Sequence, residues 1–223
     1  MPPETPENYL KIIALDGAAA TGKSSTALAL AKKLDFLHVD TGSHFRILTY
    51  HLLEQNISAE NSRSLVKALK KLILTTSIED HSAFLEINSD KLSKESLRSF
   101  KVNQLVSKYA SIKLLRDFLL IYQRSLTDFA SDKNYAGIVV EGRDIGSIVF
   151  PNTPLKIFLY ADEEIRINRR LNEGQKDVIK ERDAIDKTRK LAPLTCSPDA
   201  LRINTANHSL DEVVALILKE VSL

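Results

Sequence analysis

The chain has 223 residues and a formal net charge of +2, and 43% of its residues are hydrophobic while 27% are charged. This composition excludes a disordered chain, and so small a net charge argues against a protein that binds nucleic acid or a membrane surface. One cysteine, Cys196, excludes an internal disulfide and no run of 18 apolar residues occurs, so we expect a single cytoplasmic domain.

The first residues, 1–8, contain three prolines and two glutamates and have no apolar core, so we expect neither a signal peptide nor an anchor. From Gly17 to Ser24 the sequence then satisfies G-x-x-x-x-G-K-[ST]. An apolar run precedes this pattern and an Ala/Leu-rich run, Thr26 to Leu34, follows it. The order strand, loop, helix is typical of a phosphate-binding loop.

The spacing of this loop has a chemical reason. Its two glycines allow a tight turn, so that successive backbone N–H groups and the N-terminus of the helix face phosphate oxygens. Lys23 then reaches the β- and γ-phosphates, and the Ser24 hydroxyl can ligate Mg²⁺. The residues predicted to bind ATP are Gly17, Ala18, Ala19, Ala20, Thr21, Gly22, Lys23, Ser24 and Ser25. The pattern alone fits a kinase, a GTPase or an ATPase-driven machine.

Residues 36–39 predict a short strand that ends at Asp40-Thr41-Gly42, where functional groups of parallel sheets gather. Asp40, Thr41 and Arg46 are therefore candidate site residues, although a helix cap at Thr41 and a surface salt bridge would explain them equally well. Periodicity predicts helices over 43–55, 59–74 and 100–132. The alternation in 84–88 and the turn at 88–90 predict a small antiparallel sheet within 76–98, inserted outside the main βα alternation.

The second half of the chain continues the alternation of strands and helices. The buried run 137–140 leads into Glu141-Gly142-Arg143-Asp144. A strand over 154–160, a helix over 162–171, a strand over 201–203 and a closing helix over 210–221 follow. Residues 173–189 are dense in charge, which predicts a mobile, solvated cover. These elements predict an α/β fold of three layers around a mostly parallel sheet.

Several strings, in this order, resemble one family, the bacterial-type cytidylate kinases, from about residue 11 to residue 220. They are Ile13-Ala14-Leu15-Asp16-Gly17, Asp40-Thr41-Gly42-Ser43-His44-Phe45-Arg46, Val140-Glu141-Gly142-Arg143-Asp144-Ile145-Gly146, Val149-Phe150-Pro151, Lys156-Ile157-Phe158-Leu159, Arg182-Asp183 through Asp186 to Arg189, and Ala192-Pro193-Leu194. The resemblance implies the P-loop nucleoside monophosphate kinase fold: a parallel five-stranded sheet flanked by helices, with the small antiparallel insert and a short lid. It divides the single domain into a core (11–39, 133–165 and 190–223), a monophosphate-binding region (40–132) and a lid (166–189).

The resemblance also implies the reaction, transfer of the γ-phosphoryl group of ATP to CMP or dCMP with Mg²⁺, by a monomer that binds neither nucleic acid nor a membrane. It assigns roles by position. The residues expected to be catalytic are Lys23, Arg143, Arg182 and Arg170. The CMP phosphate is expected to bind Arg46, Arg143 and Arg182, and the cytosine base to contact Ser107, Arg116, Asp144 and Arg189. The sugar is expected to contact Thr41 and Asp186.

These assignments make chemical sense. The planar guanidinium of arginine suits bidentate contact with phosphate, so several arginines beside a phosphate loop can hold two polyanions together. The amino group of cytosine can donate a hydrogen bond to a carboxylate such as Asp144, whereas uracil has an acceptor oxygen at the same position. A buried polar group left unpaired by the wrong substrate discriminates by about 10⁴-fold or more, so we expect UMP to be a poor substrate.

The sequence departs from the family in two places. Eleven residues separate Arg170 from Arg182, a shorter stretch than is common, which leaves open which of the lid arginines Arg166, Arg169 and Arg170 reaches the transferring phosphate. His44 and Phe45 stand where Met or Ile and Tyr are more usual. Phe45 lacks the hydroxyl, and we expect His44 to pack or lie at the surface rather than act in catalysis.

Three alternatives remain at this stage. The first is a kinase of the same architecture for UMP, AMP or shikimate, against which Arg143-Asp144, Asp186 and Arg189 argue. The second is a P-loop switch or motor, although no Asn-Lys-x-Asp string and no basic stripe occur. The third is a nucleotide-binding protein without catalysis, which the short lid favours and the intact Lys23 and arginines oppose.

Overall fold

The computed structural model describes residues 10–172 and 179–221, and the side chain of Arg182 lies outside this description. Seven strands are described: β1 (Lys11–Gly17), β2 (Leu37–Asp40), β3 (Leu74–Glu79), β4 (Ser82–Ile87), β5 (Gly137–Gly142), β6 (Leu155–Tyr160) and β7 (Leu201–Asn204). The described α-helices are α1 (Lys23–Leu34), α2 (Thr41–Glu54), α3 (Ser62–Leu69), α4 (Lys94–Leu97), α5 (Phe100–Ala110), α6 (Lys113–Asp132), α7 (Glu163–Asn172), α8 (Ile179–Thr188) and α9 (Leu210–Val221). A π-helical turn spans Ile145–Val149.

The seven strands form one sheet in the order β3-β4-β2-β5-β1-β6-β7. Neighbouring strands are parallel except β3, which is antiparallel to β4. Side chains alternate between the faces of β1, so Ala14 joins one buried cluster with α2 and α6, while Ile13 and Leu15 join another with α1 and α9. The predicted α/β fold, with helices around a mostly parallel sheet, is confirmed.

The predicted count of five strands is wrong, because the described residues form seven. The predicted antiparallel pairing is present in the hairpin β3–β4, but this hairpin is not separate from the main sheet, because β4 pairs with β2 in parallel, with His38 opposite Ser82. Every second residue of β4, Ala83, Leu85 and Ile87, is buried in the same cluster as α2. This apolar face extends the main core, and it holds β4 in the sheet between β3 and β2.

The predicted solvated cover at 173–189 is correct for one face of the part that the structure describes, where Lys180, Glu181 and Lys187 are exposed, and wrong for the other face. Ile179–Thr188 is helix α8, and Ile179, Asp183 and Asp186 are buried. The remainder of that prediction, at 173–178, lies outside the described residues. The predicted helix over 59–74 is shorter, since α3 ends at Leu69 and β3 begins at Leu74. None of the described helices is long and apolar enough to span a membrane.

His44 is fully buried on α2, with its ring at an edge-to-face angle to Tyr122 and 5.2 Å between ring centroids. Its role in packing agrees with the expectation from the sequence. Neither ring nitrogen has a hydrogen-bond partner in the described part of the chain. Burial lowers the pKa of His44 to about 4, although the charge of Asp40 raises it. The folded protein therefore holds this imidazole neutral well below the usual pKa of histidine.

This buried imidazole predicts an acid-sensitive part of the stability. Between pH 6.5 and 4 the unfolded chain binds a proton at residue 44 that the folded chain does not, so stability falls as pH falls through this window. From pH 7.5 to pH 4.5 the His44 contribution amounts to about 2–3 kcal/mol. We expect His44→Met to reduce the pH dependence of the unfolding free energy by this amount in urea titrations. Equal pH dependence in both proteins would contradict the prediction.

Candidate active site

The loop from Gly17 to Lys23 joins the end of β1 to the start of α1, which confirms the predicted strand, loop and helix. A Cβ atom on Gly17 would lie 2.3 Å from the Leu159 carbonyl oxygen, and Gly22 has a φ of +87°. Glycine is therefore required at the first position by a close approach to β6 and at the second by a left-handed backbone.

Lys23 points back into this loop. Its Nζ donates a hydrogen bond to the Ala18 carbonyl oxygen at 2.6 Å, and only 7% of the residue is exposed. Burial is the main reason that the pKa of Lys23 lies well below its ordinary value, and the positive charge of Arg143 is the second. An anion bound in the loop would add to the opposite charge that Glu141, Asp16 and Asp183 already supply, so the loop is arranged to take a phosphate.

Ser24, the next residue, contacts a carboxylate at the end of β5. Its hydroxyl donates to Glu141 Oε2 at 2.9 Å, and Glu141 is 2% exposed. Asp40 ends the neighbouring strand β2, and burial together with the charge of Glu141 raises its pKa. Hydroxyl and carboxylate oxygens are the ligand atoms that Mg²⁺ prefers. A nearby cation also stabilises the ionised form of two buried carboxylates.

The described residues contain no group of three or more His, Cys, Asp or Glu side chains arranged to hold a metal ion. Magnesium in kinases is commonly held by one or two protein oxygens together with substrate phosphates and water. Ser24 and Glu141 therefore fit a magnesium ion that arrives with a nucleotide, and they do not fit a metal bound by the protein alone.

Asp16 organises the segment after β5. Its two carboxylate oxygens accept hydrogen bonds from the backbone N–H groups of Ile145 and Gly146, each at 2.8 Å. Burial raises the pKa of Asp16 to about 6, while these two bonds lower it. These two hydrogen bonds fix the π-helical turn immediately after Arg143 and Asp144. They therefore fix the position of the backbone that carries these two side chains. Asp16 is not among the predicted site residues, although a charged residue inside a buried strand is a visible signal.

Five predicted site residues form one network of opposite charges. Arg143 Nε donates to Asp186 Oδ2 at 3.1 Å, and Arg116 forms an ion pair with Asp144. Arg189 lies between the carboxylates, 3.6 Å from an oxygen of each. The members come from α6, from the segment after β5, and from α8 and the residue that follows it. The fold thus brings together groups that are up to 73 positions apart in the sequence.

A cavity of about 170 Å³ opens beside this network, lined by Arg116 and Asp144 together with Phe45, Leu120 and Gln123 among others. The guanidinium of Arg116 lies over the Phe45 ring, 5.2 Å from its centroid. One wall is therefore charged and the other apolar, which suits a flat heteroaromatic ring with polar edges.

Three other predicted residues lie outside the network. The Thr41 hydroxyl donates to the Glu141 carbonyl oxygen at 2.8 Å, and the alternative reading of Thr41 as a helix cap is wrong because Asp40 caps α2 by accepting from Ser43. Arg46 donates to the Leu97 carbonyl and to Asn103 at the start of α5. Ser107 is buried on α5.

Arg166, one of the lid arginines, lies against the phosphate loop. It donates to the Ala19 carbonyl oxygen at 3.0 Å and pairs with Asp183, whose other oxygen accepts from the Ala19 N–H at 3.3 Å. Arg169 instead donates to Thr205 after β7. Arg170 lies on α7, and the side chain of Arg182 is outside the described residues.

Comparisons with known proteins identify the family of this chain. The family model described as cytidylate kinase matches residues 13–223. A cytidylate kinase of Fusobacterium nucleatum is 38% identical over 94% of this chain and 96% of its own length. A cytidylate kinase of Bacillus cereus is 35% identical over 94% of this chain and 95% of its own length. Among solved structures, thymidylate kinase from Candida albicans gives a TM-score of 0.47 at 14% identity, over 96% of this chain and 92% of that chain. With the family match and the two relatives in agreement, the chain belongs to the cytidylate kinase family.

Proposed function

We propose that this chain transfers the γ-phosphoryl group of ATP to CMP or dCMP, giving ADP and CDP or dCDP. The observation that carries the proposal is that two cationic groups with separate tasks start from one edge of the sheet, where Asp16 of β1 lies opposite Gly142 of β5. Lys23 belongs to the phosphate loop and Arg143 to the network beside the cavity, and the charge of Arg143 lowers the pKa of Lys23. Two cations that follow adjacent strands at the same edge of the sheet favour two bound phosphates facing each other.

Little covalent chemistry is then asked of the protein. The phosphate of CMP is already an anion and a nucleophile, so no general base is needed, and catalysis consists of positioning and charge neutralisation. The loop N–H groups and Lys23 hold the ATP phosphates. Arg143, with Arg46 and Arg182, holds the acceptor phosphate, and Arg170 and Arg182 neutralise the group in transfer.

Arg166 has a different task in this proposal. Its bonds to Ala19 and Asp183 tie α7 and α8 to the phosphate loop, so it connects the lid with the site where ATP binds. We expect the lid, residues 166–189, to close over the substrates and keep water from accepting the phosphoryl group. This explains an arginine on α7 that is itself almost completely buried.

The network beside the cavity selects the base. Asp144 accepts a hydrogen bond from the amino group of cytosine. Arg116 and Arg189 donate hydrogen bonds to the ring nitrogen and the carbonyl oxygen of the base, and Ser107 is a further contact. Before a base binds, Arg116 and Asp144 satisfy each other, so the cavity holds its polar groups in place without substrate. Thr41 and Asp186 are the proposed contacts of the sugar.

Ser24 and Glu141 would hold Mg²⁺ with the ATP phosphates, Ser24 by its hydroxyl and Glu141 directly or through water. When bound, the metal neutralises phosphate charge and orients the transferring group. As to organisation, we propose a cytoplasmic monomer with a core at 11–39, 133–165 and 190–223 and a monophosphate-binding region at 40–132, with nucleotides as its binding partners.

The reaction is tested by product balance. Purified protein with Mg-ATP and CMP, followed by ³¹P NMR, is expected to give CDP and ADP in equal amounts with no accumulation of inorganic phosphate. The reason is that the acceptor phosphate, held by arginines, takes the place that water would otherwise occupy. Equal amounts of ADP and inorganic phosphate without CDP would contradict the proposal and indicate an ATPase.

A further inference from the structure

His38 occupies the middle of the sheet and makes two hydrogen-bond contacts with its neighbours. It is 8% exposed; Nδ1 is 3.0 Å from Ser82 Oγ on β4, and Nε2 is 3.0 Å from Glu141 Oε1 on β5. The strand register explains this geometry. His38 is opposite Ser82 and opposite Val139, and Glu141 lies two residues after Val139 on the same face.

The donors and acceptors assign the proton on the ring. A carboxylate accepts hydrogen bonds and donates none, so the Nε2 that faces Glu141 carries a hydrogen. In a neutral imidazole Nδ1 is then an acceptor, and the Ser82 hydroxyl can donate to it. One direction of donation therefore runs from Ser82 through His38 to Glu141.

Glu141 completes the connection to the phosphate loop. Its two oxygens are divided between two partners, Oε1 to His38 and Oε2 to the Ser24 hydroxyl. A carboxylate with both oxygens bonded has one orientation, because any rotation breaks a bond that cannot be replaced by water at 2% exposure. His38 thus sets the angle at which Glu141 meets Ser24.

We propose that His38 is a positioning residue for the metal–nucleotide site: by fixing Glu141 it orients the Ser24 hydroxyl toward Mg²⁺ bound with ATP. The inference rests on the proposed function, because it uses the role proposed there for Ser24 and Glu141. It adds a residue from β2 and a partner from the neighbouring strand β4 to that site. It assigns His38 no contact with CMP, whose proposed contacts in the charged network are with other side chains.

The inference predicts a selective defect. His38→Leu removes both hydrogen bonds and keeps the apolar bulk, so we expect it to weaken binding of Mg-ATP by roughly 10-fold in titration calorimetry, the effect of losing one orienting bond. Binding of ATP in EDTA and the KM for CMP are expected to stay within about twofold, since neither uses Glu141. His38→Gln, which keeps an amide donor at the place of Nε2, is expected to restore most of the Mg-ATP affinity.

Two further variants separate this effect from a general loss of stability. Ser82→Ala removes only the partner that orients the ring, and we expect the same selective loss at a smaller size. His208→Leu changes an exposed histidine far along the chain and is expected to bind Mg-ATP like the unaltered protein. If His38→Leu does not fold, Ser82→Ala carries the test by itself.

Equal losses of Mg-ATP and metal-free ATP affinity in both His38→Leu and Ser82→Ala, or no loss in either, would overturn the inference. These outcomes differ from a failure of the proposed function. Binding of Mg-ATP is measured without any acceptor, so a protein that fails to phosphorylate CMP but binds Mg-ATP in a His38-dependent manner would contradict only the proposed reaction.

Discussion

Lys23→Ala is expected to lower kcat/KM at least about 10³-fold with every acceptor, the size of effect found when a preorganised charge at a reaction centre is removed. Lys23 is the cation that the loop keeps buried and directed inward, with its pKa held well below normal by burial. The folding of the chain already bears the cost of removing the Lys23 amino group from water, so this group is in place before ATP binds. Alanine leaves the phosphate charge without this partner.

The measurement is steady-state kinetics with saturating Mg-ATP, alongside a melting curve to show that the variant is folded. Lys67→Ala is a matched control because Lys67 is an exposed residue on α3, and we expect unchanged kinetics. Turnover like that of the unaltered protein in Lys23→Ala would mean that the loop is not the site of ATP.

Arg143→Ala is expected to lower kcat/KM for CMP by roughly 30-fold to several thousand-fold, from the 2–5 kcal/mol typical of truncating one partner of a buried charge pair. Two losses combine in this variant. The acceptor phosphate loses a guanidinium, and Asp186 loses the donor that holds it at 3.1 Å. Arg189, a further partner of Asp186, is 3.6 Å away and is shared with Asp144.

The control is Arg63→Ala, which removes an exposed arginine on α3 and is expected to have no effect. Because the proposed role of Arg143 is with the acceptor, the KM for CMP should change more than the affinity for Mg-ATP. A loss of kcat/KM under threefold would remove Arg143 from the proposed phosphate clamp.

The parts of the fold that the sequence predicts well depend on local patterns. The loop from Gly17 to Ser24 is recognisable because its requirements lie within eight consecutive residues, and α9 follows from its own periodicity over 210–221. Strand pairing is a different matter. The alternation in β4 indicates a half-buried strand, but nothing in it specifies that Ser82 pairs with His38 of β2.

Helix α8 shows how charge density misleads. A segment with few apolar residues predicts a solvated surface, yet Asp183 and Asp186 are buried because Arg166 and Arg143 pair with them. Those partners lie on other elements, so composition within the segment could not indicate burial. The same reason explains why Asp16, Glu141 and His38 were not predicted as site residues: their partners are known only once the sheet is assembled.

The measurement that tests the central claim most directly is ADP release from Mg-ATP by the purified protein with CMP, dCMP, UMP, AMP, GMP or buffer alone. We expect turnover with CMP and dCMP to be far above that with UMP, AMP or GMP. The reason is that Asp144 accepts a hydrogen bond from the amino group of cytosine, whereas in uracil it faces the lone pair of an oxygen. Similar turnover with UMP and CMP would contradict the role of Asp144. ADP release that is equal in buffer alone, or silence with every acceptor, would contradict the proposed kinase reaction.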